Sequence, residues 1–454
     1  MRILVVGVGK VGLTIAQHLA EEDHDVVLID TNENVIERCE ETLDVMCVRG
    51  NGANAQTLME AGADQADIII ATTAEDEVNM LCCLIAKRLG TQFAIARIRD
   101  PEYNESLIIL QRELGIDQVI NPERATALEI GRLLLFPFAS SIESFAKGRV
   151  DIVGFRAVAG DPFIGVPLKL LRRTAPSMPQ VLYVAVEREG KVFIPNGDSV
   201  IEVGDQVHVA GEMVTISAYF RFLGKNTRRV KDVMLLGGGK ISYYLAQSIT
   251  KMGIRVSMIE INGAKVRRLS EQLPDVNVIF GDGTDQELLE QEGLDQMDAF
   301  VTLCDRDEEN MMTGLYAAQK GVPRVIVKNN RVMYADILRK MGLDTILSPR
   351  EITCSMILRY VRARANGEGS KMEKLYRLID GKAEAMEFIV SPNDLFVNIP
   401  LKDLKIRTNT LVALIVRRGR VIVPFGNDHI EANDSVVIVS CDSGIDDLNE
   451  VIHR

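Results

Sequence analysis

The sequence predicts a duplicated α/β protein of the order A–B–A′–B′, in which two doubly wound parallel-sheet domains are each followed by a small α+β domain. Three observations support this fold class. Short apolar runs rich in β-branched residues alternate with segments of helical period, a glycine-rich turn directly follows the first run, and both features recur in the second half of the 454-residue chain. Alternation of strands and helices favours a parallel sheet with right-handed crossovers.

The first parallel-sheet domain is predicted from six strand-like runs. In chain order they are ILVVG, DVVLID, VMCVRG, DIIIATT, FAIARI and QVIN. Nearly continuous apolar runs are typical of strands that are buried on both faces of a parallel sheet. The segments between them, such as KVGLTIAQHLAEE, carry apolar residues at helical spacing.

The segment after the sixth run is predicted as a helix that leaves one domain and packs on its partner domain. It extends over residues 127–145, has an apolar run interrupted by Pro137, and has its equivalent at 353–365. Its apolar run is about half of the ~20 residues that a membrane-spanning helix needs, so it does not predict a membrane span.

Internal similarity supports the duplication. Alignment of Gly7 with Gly237 places ILVVGVGKVG against VMLLGGGKIS, and Asp30 then meets Glu260. The small domains repeat as well, since VAVEREGKVFIPNGDSVIEVGDQVHV resembles LIVRRGRVIVPFGNDHIEANDSVVIV. We predict parallel-sheet domains at 1–145 and 228–366, and small domains at 146–227 and 367–454.

The glycine-rich turn of the first repeat has the pattern GxGxxG, from Gly7 to Gly12. In this context Gly7 permits the tight turn, Gly9 lets backbone amides approach a pyrophosphate, and Gly12 lets the helix pack close to the strand. The second strand ends at Asp30, whose carboxylate can accept hydrogen bonds from ribose hydroxyls and would repel a 2′-phosphate. The pattern therefore favours NAD(H) or an adenosine nucleotide over NADP(H).

The second repeat keeps the acid as Glu260 and the first glycines of the turn, but has Ser242 where the first repeat has Gly12. Serine is small enough to pack at this place. Two interpretations stay open: a second nucleotide site, or a degenerate half that is retained for assembly.

Composition excludes several classes of function. The net charge of −12 argues against a nucleic-acid partner, because such surfaces need a basic field. The seven cysteines form no CxxC pair and the five histidines are scattered, so no metal site is predicted. The N-terminus opens on a strand pattern without a secretory signal, and we expect a cytosolic protein.

An enzyme is the first alternative, since the nucleotide-binding pattern would also suit an NAD-dependent oxidoreductase. The small domains, however, are short and rich in strands, and carry no His/Asp or Lys/Asp constellation to serve as acid and base beside a nicotinamide. Hydride transfer would then rest on the fold alone. A nucleotide sensor for a different ion transporter, or for a transcription factor, is the second alternative.

The A–B–A′–B′ order, with GVGKVG, GNGAN and TTAEDEVNM in the first repeat, resembles the peripheral NAD-binding subunits of Trk potassium-uptake systems. These have two Rossmann-like regulator-of-potassium-conductance (RCK) N-domains, each followed by a C-domain. The resemblance covers the whole chain. It implies a regulatory subunit without catalytic activity that binds NAD(H), with ATP/ADP as further candidates, and gates an integral-membrane potassium transporter or channel subunit. It also implies a homotetramer, cytoplasmic and peripherally attached to the inner face of the plasma membrane through its partner.

The resemblance also implies the site residues. In the first repeat they are the turn, the ribose acid, a residue at the adenine edge, two strand-end threonines and a basic residue: Gly7, Val8, Gly9, Lys10, Val11, Asp30, Asn51, Thr72, Thr73 and Arg97. In the second repeat they are Gly237, Gly238, Gly239, Lys240, Ile241, Glu260, Asp282 and Lys328. Cys304 replaces Thr73 there. Some have plainer interpretations: the two lysines as solvated helix-start residues, and Arg97 as the ion-pair partner of Glu75, Asp76 or Glu77.

Overall fold

The computed structural model describes the 454-residue chain except for residues 104–105, 137, 226–229, 331–336, 339–340, 344, 366–370, 380, 443, 446 and 453–454. Pro137 and the predicted domain boundaries at 227/228 and 366/367 therefore lie outside the described residues. The fold class is confirmed: two parallel six-stranded sheets are each followed by an antiparallel five-stranded sheet.

The first parallel sheet has the strand order β3-β2-β1-β4-β5-β6. Every pair of neighbouring strands is parallel, as the alternation of strands and helices predicts. Its elements are β1 (Arg2–Val6), α1 (Lys10–Glu21), β2 (Asp25–Asp30), α2 (Glu33–Thr42), β3 (Met46–Arg49), α3 (Ala55–Glu60), β4 (Ile68–Ala71), α4 (Asp76–Leu89), β5 (Phe93–Arg97), α5 (Leu107–Leu114), β6 (Gln118–Ile120) and α6 (Pro122–Leu135).

The second parallel sheet repeats this topology, with the order β14-β13-β12-β15-β16-β17. The order changes direction at the first strand of each sheet, and open sheets bind ligands beyond the carboxyl ends of the strands at such a point. The elements are β12 (Asp232–Leu236), α9 (Lys240–Thr250), β13 (Arg255–Glu260), α10 (Gly263–Gln272), β14 (Val276–Phe280), α11 (Gln286–Gln291), β15 (Ala299–Thr302), α12 (Asp307–Gln319), β16 (Arg324–Lys328), β17 (Thr345–Leu347) and α13 (Pro349–Ala365).

The small domains also share one topology, β7-β8-β11-β9-β10 in the first and β18-β19-β22-β20-β21 in the second. The first contains β7 (Ser141–Phe145), β8 (Val150–Arg156), α7 (Leu171–Thr174), β9 (Leu182–Arg188), β10 (Lys191–Phe193), β11 (Gln206–Gly211) and α8 (Met213–Phe222). The second contains β18 (Lys371–Leu378), β19 (Ala383–Ile389), β20 (Thr410–Arg417), β21 (Arg420–Ile422) and β22 (Ser435–Ser440).

The predicted helix over 127–145 is wrong in its extent. Helix α6 ends at Leu135, and residues 141–145 form strand β7. Pairing with β8 makes this segment a strand, in the antiparallel register Ile142 to Val153 and Phe145 to Val150. The predicted equivalent at 353–365 is helical throughout, within α13.

The chain divides into two compact units, one of residues 1–127 with 348–361 and the other of 128–347 with 362–454. Most of α13 therefore belongs to the same unit as the first parallel sheet. Within that unit, Glu351 of α13 lies 3.9 Å from the His18 imidazole of α1. In the other unit, Gly131 of α6 lies against Ile249 of α9. The last helix of each parallel-sheet domain thus packs on the first helix of the other repeat.

The core of the first sheet positions the glycine turn. Strands β1 and β4 are buried along almost their whole length, with Ile3, Leu4, Val5, Ile68, Ile69 and Ile70 at 0% exposure. Burial of β-branched side chains on both faces holds these strands in register, and their carboxyl ends form a rigid edge. None of the helices in the described part of the chain combines the length and apolar character needed to cross a bilayer.

Candidate nucleotide-binding sites

The first glycine turn joins β1 to α1. Gly7 has a φ of +86°, and a Cβ on it would lie 2.7 Å from the Thr73 backbone, so both conformation and space require glycine. Gly9 is the N-cap of α1, with no side-chain hydrogen bond to the first helical amides. These amides point to the carboxyl edge of the sheet, where a helix N-terminus favours anions.

Gly9 differs from the other glycines of this turn. Its φ is −72°, which any residue can adopt. A Cβ built on it has no atom within 4 Å. Gly239 is the same, with a φ of −79° and open space around its Cβ position. Among the glycines that the structure describes, only these two combine an ordinary φ with open space.

The acid at the end of β2 braces the turn. The Asp30 carboxylate accepts hydrogen bonds from the backbone N–H of Val8 at 2.7 Å and of Asn32 at 2.9 Å, one on each oxygen. A carboxylate offers about four lone-pair sites, so acceptor capacity remains for ribose hydroxyls. The predicted ribose acid therefore also holds the glycine turn in place, through the Val8 N–H.

The second repeat reproduces this arrangement with a longer acid. Glu260 accepts from the N–H of Gly238 and of Asn262, both at 2.8 Å. Its side chain folds back beneath Gly238, where a Cβ would lie 3.0 Å from the carboxylate. Glu260 is 6% exposed, whereas Asp30 is half-buried. The second acid is therefore set deeper beneath the turn.

Ser242 fits the second turn because its hydroxyl replaces the one that Thr72 supplies in the first repeat. In the first repeat, Thr72 Oγ1 donates to the Gly7 carbonyl at 3.0 Å, and a Cβ on Gly12 would lie 2.1 Å from that oxygen. In the second repeat, Ser242 Oγ donates to the Gly237 carbonyl. The position equivalent to Thr72 is Leu303, which is 5% exposed. The carbonyl keeps a hydroxyl donor in both repeats.

A buried asparagine at the start of α4 joins the ends of two strands, and the site prediction missed it. Asn79 accepts from Thr73 N–H at 2.7 Å and donates to the Arg97 carbonyl at 2.9 Å. Asn310 makes the same bonds to Cys304 and Lys328, at 2.8 and 3.1 Å. Both asparagines are 0% exposed. Their pairing in the aligned repeats was the available signal.

The basic residue of the first site does not make the predicted alternative ion pair. Asp76 is instead the partner of Arg99, with Nε 3.3 Å from the carboxylate and the Arg99 N–H at 2.8 Å. Arg97 Nη1 donates to the Thr72 carbonyl at 3.4 Å, and its Nε is buried without a hydrogen-bond partner. Burial lowers the pKa of Arg97 from its usual value. Arg97 therefore lies at the strand edge, and its Nε–H donates no hydrogen bond within the described part of the protein.

The matching base of the second site is Lys328, which is 8% exposed, with its Nζ 4.0 Å from Asp305. Cys304 stands beside it at the end of β15. Burial raises the pKa of Cys304 to about 11, so the sulfur stays a thiol at neutral pH. Thr73 presents a hydroxyl at this place, 2.8 Å from Asn79 Oδ1. A thiol is the weaker hydrogen-bonding group, and the strand edges of the two sites therefore differ.

The residues at the predicted adenine edge are turn residues in both repeats. Asn51 Oδ1 accepts from the Ala53 N–H at 2.9 Å, and Asp282 accepts from the Thr284 N–H at 2.9 Å. Asn51 and Asp282 are both exposed. Asn51 keeps an amide donor, whereas the hydrogen bonds from Thr284 lower the pKa of Asp282 and keep it an ionised acceptor. Lys10 lies exposed at the first position of α1, and Lys240, which starts α9, is half-buried.

The described residues include no cluster of three or more His, Cys, Asp or Glu arranged to hold a metal ion.

In each repeat, the structure brings together the turn, acid, strand-end and basic residues of the predicted set at one sheet edge. Val8, Val11 and Ile241 contribute through the backbone of the turn and the first helical residues.

Family comparison agrees with the duplication. The TrkA-N domain family matches residues 3–122 and again 233–349. The TrkA-C domain family matches residues 152–224 and 385–453. The four matches follow the two parallel and two antiparallel sheets.

Among curated relatives, the Trk system potassium uptake protein TrkA of Vibrio alginolyticus is 32% identical over 444 residues, 96% of this chain and 95% of the relative. A Trk system potassium uptake protein TrkA homolog of Methanosarcina mazei is 31% identical over 458 residues, covering 99% of both chains. Of solved structures, the GsuK channel bound to NAD is similar with a TM-score of 0.63 at 18% identity, over 99% of this chain and 78% of that chain. That identity supports the fold alone. With two complete pairs of domains matched and relatives above 30% identity over nearly the full length, the chain belongs to the TrkA family of Trk potassium uptake proteins.

Proposed function

We propose that this chain is a nucleotide-sensing regulatory subunit of a potassium uptake system. Each repeat binds one adenosine nucleotide, with NAD(H) as the first candidate and ATP or ADP as the others. Bound nucleotide gates an integral-membrane potassium transporter or channel subunit, and the chain itself catalyses no reaction. It acts as a homotetramer on the cytoplasmic face of the membrane.

The pair of glycines at 9 and 239 carries this proposal. Neither the backbone conformation nor the packing of the protein requires glycine at either place. A residue without a side chain beside uncapped helical amides is what close approach of a phosphate needs. The coincidence occurs twice in one chain, at the same position of both repeats.

The remaining contacts follow the geometry of each edge. The phosphates lie against the amides that follow Gly9, with the ribose hydroxyls on Asp30. Arg97 has a buried, unpartnered Nε at the same edge, and a ligand phosphate or carbonyl would supply the missing acceptor. In the second repeat Gly239, Glu260 and Lys328 take these roles.

The regulatory part of the proposal rests on family membership and on chain connectivity. Helices α6 and α13 each connect a nucleotide domain to the strand that opens the next small domain. A ligand gates only by binding one conformation more tightly than another, and a shift of a few kcal/mol needs roughly 10²–10³ in differential affinity. NADH against NAD, or ATP against ADP, differ in charge and could supply such a difference. The similar GsuK channel has been solved bound to NAD, which supports the choice of NAD as first probe.

The direct test is calorimetric titration of the full chain with NADH, NAD, ATP and ADP, repeated on Gly9→Asp and Gly239→Asp. Aspartate is a preferred N-cap residue, so each substitution should preserve or raise the stability of its helix while placing a negative charge where phosphate binds. Gly9→Asn and Gly239→Asn are matched controls of the same shape without the charge. We expect each Asp variant to remove one binding event and each Asn variant to weaken it less.

Transport supplies the second test. The chain is reconstituted with a potassium transporter of its own genome in vesicles, and potassium flux is measured against nucleotide concentration. Flux that responds to one nucleotide and loses the response in the Gly9→Asp variant supports gating. No binding of any of the four nucleotides would refute the sensor, and turnover of a hydroxy acid with NAD would refute the regulatory function.

A further inference from the structure

The second repeat exposes an aromatic ring at the edge of its candidate site. Phe280 is the last residue of β14 and is 66% exposed, although large aromatic side chains are usually well buried. In the sheet register it lies directly beside Glu260, the acid assigned to the ribose. Ile261, the residue after that acid, is 65% exposed. Two large apolar side chains therefore border the ribose acid at the carboxyl end of the sheet.

The packing around the ring leaves it open for a ligand. Phe280 Cε2 lies 3.5 Å from where a Cβ on Gly263 would be, so the ring rests over the first residue of α10. The other apolar side chains of β14 are more buried: Val276 is 8% exposed, and Val278 and Ile279 are half-buried. The exposed apolar side chain of this strand is thus the one at its end, where open α/β sheets bind their ligands.

The first repeat has different chemistry at the same positions. Arg49 takes the place of Phe280, and Glu33 that of Gly263. Arg49 Nη1 forms an ion pair with Glu33 Oε1 at 2.7 Å, with both side chains 58% exposed. Thr31 takes the place of Ile261. The polar, tethered pair of the first repeat has become an apolar surface in the second.

We propose that Phe280 is the surface on which the second site stacks the adenine base of its nucleotide, with Ile261 beside it at the same rim. This inference rests on the proposed nucleotide site of the second repeat. A dinucleotide that places its phosphates at Gly239 and its ribose on Glu260 carries its base outward past the acid, toward these two residues. Every base has a π-face, and stacking on an aromatic ring is a common means of holding it.

The edge contact agrees with this assignment. Asp282, two residues after Phe280, is an ionised carboxylate, which accepts hydrogen bonds and carries no N–H or O–H of its own to donate. It can accept a hydrogen bond from the amino group of adenine but can donate none, whereas Asn51 of the first repeat can do both. The second site therefore holds its base mainly by stacking, and the first mainly by polar contacts.

The chain contains no tryptophan, so Phe280→Trp introduces a single indole at the proposed contact. The experiment uses the full chain in a Gly9→Asp background, in which only the second site is competent. ADP and NAD are titrated while indole fluorescence is recorded, and calorimetry gives the affinity. Phe425→Trp, at a ring that is 63% exposed in the second small domain, is the matched control.

We expect saturable quenching in Phe280→Trp, none in Phe425→Trp, and loss of quenching when Gly239→Asp is added. Phe280→Ala should weaken ADP binding about 5- to 150-fold, from the range measured for base–aromatic stacking. Inorganic pyrophosphate, which has no base, should bind Phe280→Ala and its parent equally. Phe280→Arg should restore part of the affinity for ADP, because a guanidinium can also stack on a base.

Failure of the inference and failure of the nucleotide proposal give different results. If ADP binds the Gly9→Asp protein through Gly239, but Phe280→Ala binds it equally well and the indole is not quenched, the stacking assignment is wrong and the nucleotide site stands. If Phe280→Ala instead abolishes association between copies in sedimentation without changing ADP affinity, the ring belongs to a protein contact and the inference is overturned. If the wild type binds ADP and Gly9→Asp does not, the second repeat holds no nucleotide and the inference falls.

Discussion

The exchange of a hydroxyl between Thr72 and Ser242 predicts a specific energetic coupling. Ser242 is 0% exposed and supplies the hydroxyl donor to the Gly237 carbonyl. Ser242→Gly removes that donor and leaves a buried acceptor, which costs about 1–3 kcal/mol. Glycine within a helix adds about 0.5–1 kcal/mol. We therefore expect Ser242→Gly to destabilise the β12–α9 segment by about 1.5–4 kcal/mol.

The compensating change is Leu303→Thr, which places a hydroxyl where the first repeat has Thr72. Alone it should destabilise, because it removes about two buried carbon groups at ~0.8 kcal/mol each and adds a polar atom. Combined with Ser242→Gly it supplies the missing donor to Gly237. The double variant should then be more stable than the sum of the single effects by about 1–3 kcal/mol.

The assay is hydrogen exchange of the β12–α9 peptide in the full chain, followed by mass spectrometry. A local measurement is needed because a chain of several domains does not unfold in one two-state step. A coupling within about 0.5 kcal/mol of zero would refute the reasoning, since that is the additivity expected of independent sites.

Three further predictions concern buried polar groups. Asn79→Ala should destabilise the first parallel-sheet domain by about 2–4 kcal/mol, measured by local hydrogen exchange, because it leaves the Thr73 N–H and the Arg97 carbonyl unpaired. The control Asn54→Ala, at the exposed N-cap of α3, should cost about 1 kcal/mol. Arg362→Met should destabilise the protein by about 3–5 kcal/mol in thermal unfolding, because it leaves the buried Glu384 carboxylate unpaired. Adding Glu384→Leu should restore most of that stability. No recovery in the double variant would contradict the ion-pair argument. Burial raises the pKa of Glu129 from 4.5 to about 7, so the folded state binds the proton more tightly than the unfolded chain and this stability is lost as pH rises from 4.5 through 7. Glu129→Gln should flatten that pH dependence, and an unchanged profile would contradict it.

The parallel sheets could be predicted from the sequence because their strands are buried on both faces. ILVVG, DVVLID and DIIIATT leave no other element that satisfies so many β-branched residues in short runs. The glycine turn and the acid follow β1 and end β2, which are neighbours in the sheet. The domain boundaries at 145/146, 227/228 and 366/367 stay predictions.

The helix after the sixth strand shows where local pattern was insufficient. Its apolar residues continue past Leu135 into SIESF, and an apolar run does not tell where a helix ends and a strand begins. The strand character of 141–145 comes from pairing with β8, in the register Ile142 to Val153. A contact of this kind is tertiary, and SIESF, whose apolar residues are three apart, carries no strand alternation in its local sequence.

In the site, the turn glycines and the acids were predictable because each is needed at a fixed place in a local motif. The asparagine bridge was not, since Asn79 acts on strand ends that are 6 and 18 residues away in the chain. The hydroxyl exchange was missed for the same reason. In the sequence alone, Ser242 only marks the loss of the glycine found at position 12. The fold shows that it replaces the hydroxyl of Thr72, because Leu303 at the equivalent position has none. A substitution and its compensation can be interpreted together only when the fold shows that they share one carbonyl.

The differences between the repeats fall into two groups, and this division indicates what duplication within one chain permits. Changes at the glycine turn are compensated. The hydroxyl that donates to the turn carbonyl comes from Thr72 in the first repeat and from Ser242 in the second. Both acids accept from two backbone amides. Changes at groups that face the open edge are not compensated, namely Arg49 to Phe280, Asn51 to Asp282, Thr73 to Cys304 and Arg97 to Lys328. A homo-oligomer of single repeats would have to keep identical sites, because one gene encodes every copy. A fused pair can preserve one glycine turn twice while the residues around it diverge, and under the proposed function this would let two sites of common origin respond to different nucleotides.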